Sequence, residues 1–127
     1  MKADKLAALL QKLQQEVRES AKTIRKLIKS AVKRARTDCL EELMYLDTKL
    51  TDPAIDFRGV HGEAALREGF EWARDCLTEE IDALAKPAGS VPEALEDARA
   101  AVLTVADELE DAAEFLVTAP IEEIQGK

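Results

Sequence analysis

Residues 1–52 contain neither glycine nor proline, and apolar or small side chains recur through them at helical spacing. The positions are Leu6, Leu10, Leu13, Val17, Ser20 or Ala21, Ile24, Ile28, Ala31, Ala35, Cys39, Leu43, Leu46 and Leu50. Their mean step is about 3.7 residues, close to the ~3.6 of an α-helix. The pattern predicts one helix from about residue 3 to 50, with a heptad-like seam at its start and longer steps from Ile28 onward. A rival reading breaks this helix near Asp38, because Asp38 and Glu41 resemble a capping box. The unbroken phase of the stripe favours continuity.

Asp52-Pro53 stops the helix, since proline lacks a donor and disfavours helical geometry before it. The connector, 52–62, carries Ile55, Phe57 and Val60 and is expected to fold over the core. A second helix follows at about 63–86, with Leu66, Phe70, Ala73, Leu77, Ile81 and Leu84 on one face and Gly69 marking a close backbone contact. Pro87 and Gly89 make a turn; Ser90, Pro92 and Glu93 then supply the cap, early proline and capping-box acid of a third helix. That helix, about 91–118, keeps a heptad from Val91 to Leu116 and is expected to stop near Thr118, before Pro120. Residues 1–118 thus read as one helical domain and 119–127 as a short flexible tail.

The expected fold is all-α: a coiled-coil-like three-helix protomer in which the long helix packs with an antiparallel hairpin. If the long helix breaks near Asp38, the alternative is a four-helix bundle. A helix of ~48 residues is ~72 Å long, whereas its partners reach ~38 Å. Two short helices joined by a tight turn cannot cover the rod, so part of its stripe would lie bare and call for a homodimer or another protein. The apolar residues expected at that interface are Leu6, Leu10, Leu13, Val17 and Ile24, with Trp72 as a further anchor whose other reading is edge-of-core packing.

Net charge is −8, but unevenly spread. Residues 1–36 hold 11 Lys and Arg against three acids, a local charge of +8; the remainder holds seven against 23, a charge of −16. Arg18, Lys22, Arg25, Lys26, Lys29, Lys33 and Arg36 fall on one helix face. Such a stripe can follow a phosphate backbone, but no aromatics interleave with it and no helix-turn-helix pattern is present. Its other reading is a solvated face, or one paired with the acidic second half.

Chemistry-bearing motifs are few. Cys39 and Cys76 lack CxxC spacing and read as reduced core thiols, which suits a reducing cytoplasm. No window nears ~18 consecutive apolar residues, so a soluble protein without a membrane span is expected. His61, near Gly59 and Gly62, reads as a loop residue beside a helix start or as a catalytic base. Di-iron bundles use Glu-x-x-His pairs, a pattern this single loop histidine does not supply.

Glu79, Glu80 and Asp82, followed by Asp107, Glu108, Glu110 and Asp111, resemble the EExxE and ExxD motifs of MazG-like nucleotide pyrophosphohydrolases. The resemblance covers about a quarter of the chain and implies that Glu79, Glu80, Glu108 and Asp111 hold Mg²⁺ against a nucleoside triphosphate. Ala83 stands where that family has a further carboxylate, which puts the site in doubt. The reading as a whole is a non-enzymatic protein–protein interaction module of assembly, inhibitor or neutraliser type, of bacterial or phage character, without catalytic residues, metal or cofactor. Nucleic-acid binding through the basic stripe is the second choice and a degenerate pyrophosphohydrolase the third.

Overall fold

The computed structural model describes the backbone of residues 2–30, 34–86 and 90–126, and side chains within these ranges except at residues 2 and 119–126. It is all-helical, with no strand among the described residues. Four helices pack together: α1 (Lys2–Ser30), α2 (Ala35–Leu50), α3 (Glu63–Ala85) and α4 (Val91–Gly126).

The single helix expected over 3–50 is not formed. Ser20 Oγ donates to Glu42 Oε1 at 2.7 Å, whereas 22 residues of straight helix would separate the two positions by ~33 Å. The chain therefore reverses between Ser30 and Ala35, ahead of the break considered at Asp38. Residues 31–33 lie outside the described ones. Asp38 sits in the first turn of α2, its amide donating to Arg34 O, so it does not cap the helix.

No breaker residue forces this reversal; burial does. Interrupting a helix forfeits about four backbone hydrogen bonds, each worth ~1 kcal/mol net. Folding α2 back buries Leu43, Leu46 and Leu50, each worth ~1.5–3 kcal/mol. The same reversal lets α4 cover the stripe of α1 while α2 packs chiefly on α3 and α4. Leu6, Leu10, Leu13, Val17, Ala21 and Ile24 are buried within the chain, as are Ala35 and Cys39. Among the described residues, these stripe positions are covered by the protomer's own helices.

Helix α1 makes its most extensive contact with α4. The two run antiparallel: Gln14 and Arg18 meet Glu110 and Asp107, while Arg25 and Ile28 share a cleft with Glu96 and Arg99. Antiparallel pairing also joins α3 to α4, where Gly62 lies against Phe115 and Gly69 against Glu108. At Gly69, where a close backbone contact was expected, the near neighbour is a side chain: a Cβ there would stand 3.3 Å from Glu108 Oε2. Because α4 packs on both α1 and α3, its buried arc exceeds a heptad seam and takes in Ala101, Ala106 and Ala113.

The connector folds inward as expected. Phe57 is buried and meets Phe70 edge-on at 5.5 Å. The turn assigned to Pro87 and Gly89 lies outside the described residues; beyond it Ala94 N donates to Ser90 O as α4 begins. That helix continues past the expected stop at Thr118, through Pro120 to Gly126. Val117 and Thr118 line a cleft with Ala8, Gln11 and Lys12 of α1, so a neighbouring helix supports α4 where the sequence suggested an end.

Candidate functional site

The polar candidates are dispersed by the fold. Arg18 Nη2 reaches Glu110 Oε2 at 3.0 Å and Asp107 Oδ1 at 3.4 Å. Lys22 pairs with Glu19 on its own helix at 3.2 Å. Arg36 belongs to α2, where its Nη1 donates to Lys86 O at 3.1 Å. Lys33 lies outside the described residues. Only Arg25, Lys26 and Lys29 of the expected stripe remain together on α1 without an ion pair among the described residues. A continuous track for a phosphate backbone is thus interrupted.

The four carboxylates that suggested a pyrophosphohydrolase are likewise separated. Glu108 and Asp111 stand opposite Ala65 and Gly69 at one level of the α3–α4 seam. Glu80 is 11 residues along α3 from Gly69, about 16 Å of helix, and its charged neighbours are Asp97 and Glu79. Burial and those two acids raise its pKa above the ordinary carboxylate value. Among the described residues no group of three or more His, Cys, Asp or Glu is placed to hold a metal ion.

Neither thiol is activated. Burial, with Glu42 and Glu80 nearby, pushes Cys39 up to about 12. Cys76 is also raised, by desolvation and then by Glu79, Asp75 and Glu80. A nucleophilic cysteine needs the opposite electrostatics. His61 stacks on Phe115 with ring centroids 6.0 Å apart and planes at 10°, which fixes the connector against α4.

That connection shapes one wall of an apolar cleft between α3 and α4. Its floor comprises Ala65, Leu66, Gly69, Phe70, Ala112 and Phe115, its rim carries Glu108 and Asp111, and its volume is about 210 Å³. The cleft exists because Gly69 places no side chain in the seam. Trp72, three residues past Gly69 and seven past Ala65, falls on the same side of α3 and is 54 % exposed. An indole left half in water beside an apolar cleft is unusual for a side chain of that size. Exposed acids Glu68, Asp75 and Glu79 continue along α3.

Sequence reading singled out Trp72, Glu108 and Asp111 but not their conjunction, and it missed Phe115 and Arg99. Phe115 lies off the heptad seam, and Arg99 is a lone cation in an acidic helix; neither signals a site until helices are paired. Among the described residues no helix is long and apolar enough to cross a membrane. Comparison with family models, with curated proteins and with solved structures returned no match to this chain.

Proposed function

We propose that the protein is a non-enzymatic interaction module that binds a basic, amphipathic segment of another protein on its α3–α4 face. The observation that carries this reading is Trp72, half exposed about one turn of α3 past Gly69, which lines an apolar cleft together with Glu108 and Asp111. Aromatic anchors next to small pockets dominate binding energy at protein interfaces, and acidic rims select partners by charge. The scaffold assumed is an up-and-down four-helix protomer. A different protein is favoured over a second copy, because the stripe that would have joined two copies is spent inside the chain. An inhibitor or neutraliser of a basic protein fits this chemistry, acting in a reducing cytoplasm.

The test uses a synthetic amphipathic helix of leucine and lysine, titrated by calorimetry against the full chain. Binding that weakens with salt and falls about 30-fold in Trp72→Ala, as for a hot spot of ~2 kcal/mol, is expected. Tyr45→Ala, an exposed aromatic on α2, should bind like the parent. Equal binding by the parent and Trp72→Ala would overturn the reading. A stable dimer by light scattering whose association is lost in Trp72→Ala would assign the face to a second copy instead.

A further inference from the structure

The cleft between α1 and α4 holds a charge arrangement unlike the rest of this interface. Arg25 and Lys29 enter it from α1 and Arg99 from α4, around Ile28, with Glu96 as the one acid. The cleft encloses about 440 Å³. Two other cations of α1 meet acids, Arg18 with Asp107 and Glu110 and Lys22 with Glu19. Here three cations face one carboxylate, and none of the three forms an ion pair among the described residues. Arg99 Nε is buried and has no hydrogen-bond partner. A buried donor left unmade on a permanently charged group is costly, and a guanidinium fork is the natural complement of a tetrahedral oxyanion.

We infer that this cleft is a binding site for a phosphate monoester, with Arg99, whose Nε is buried, as the anchor and Arg25 and Lys29 as the outer clamp. The local excess of two positive charges matches a phosphoryl group, which carries about −1.5 to −2 at neutral pH. A carboxylate would leave one cation uncompensated. Ile28 offers an apolar contact to the group that bears the phosphate. This site lies on α1 and α4, away from Trp72, and is independent of the protein-binding face.

The experiment follows the Arg99 Nε–Hε resonance by nuclear magnetic resonance during titration of the full chain with inorganic phosphate, with a nucleoside monophosphate and with a short DNA duplex. The expected result is a saturable shift with phosphate and with the monophosphate, weaker at pH 5, where the dianion is protonated. Arg99→Gln and the surface variant Lys29→Gln should each weaken calorimetric binding about tenfold, and Lys12→Gln, in another cleft, should not. Tighter binding of the monophosphate than of phosphate identifies a nucleotide as the source; equal binding identifies the free ion. An equal shift with chloride at matched ionic strength would overturn the site. So would binding of the duplex alone, weakened as much by Lys26→Gln as by Lys29→Gln, since that pattern describes a diffuse basic surface.

Discussion

Ser20 Oγ donates a 2.7 Å hydrogen bond to a carboxylate oxygen of Glu42, joining α1 to α2 through a serine that is only 3 % exposed. A bond to a charged acceptor contributes ~1.5–3 kcal/mol, because breaking it strands a partly buried carboxylate. Ser20→Ala is expected to lower stability by ~2 kcal/mol in urea denaturation. A double-mutant cycle with Glu42→Gln should show a clear coupling energy; additive losses would place the two residues apart.

Gly62, at the start of α3, adopts φ of 76°, and a Cβ there would lie 2.5 Å from Phe115 Cε1. Both the left-handed backbone and the ring exclude a side chain. Gly62→Ala should cost ~2 kcal/mol or more by thermal denaturation. Adding Phe115→Leu should recover the steric part and leave the backbone part.

The two thiols differ in exposure and share the direction of their shift. Cys39 is buried and Cys76 half-buried. Iodoacetamide should modify Cys76 in the folded protein and Cys39 only on unfolding, as read by mass spectrometry. Since both pKa values are raised, Cys76 alkylation should keep accelerating with pH beyond the ordinary thiol range instead of levelling there.

Glu80 is held toward its protonated form by burial and by Asp97 and Glu79. A carboxyl whose folded pKa is raised stabilises the fold below its ordinary value, and that contribution is lost as pH climbs through the raised one. Glu80→Gln should therefore be more stable than the parent at pH 7, with the gap closing below about pH 4. Solvent screening keeps the gain under about 1 kcal/mol. A melting-temperature difference that grew on acidification would contradict this cause.

Hydrophobic spacing identified nearly all of the buried positions. Leu6 through Leu50 were legible because a helical stripe must face a core, and each of the two helices presents its own stripe. Phe57 was legible as an apolar side chain of the connector, which buries it over the core. Proline and capping signals marked the start of α4, although Thr118 and Pro120 did not end that helix.

The sequence by itself determined that this chain is helical, which residues turn inward and how charge is divided along it, because propensity and period are local properties. Tertiary structure alone decided that the first 50 residues fold back, since that choice compares a few lost backbone bonds with the burial of whole faces. It also decided which charges meet. Arg18 found Glu110, Arg99 came to share a cleft with Arg25, Lys29 and Glu96, and Glu108 lies by Gly69 and not by Glu80. Pairings across helices depend on register, and register is written in the packing of the assembled core.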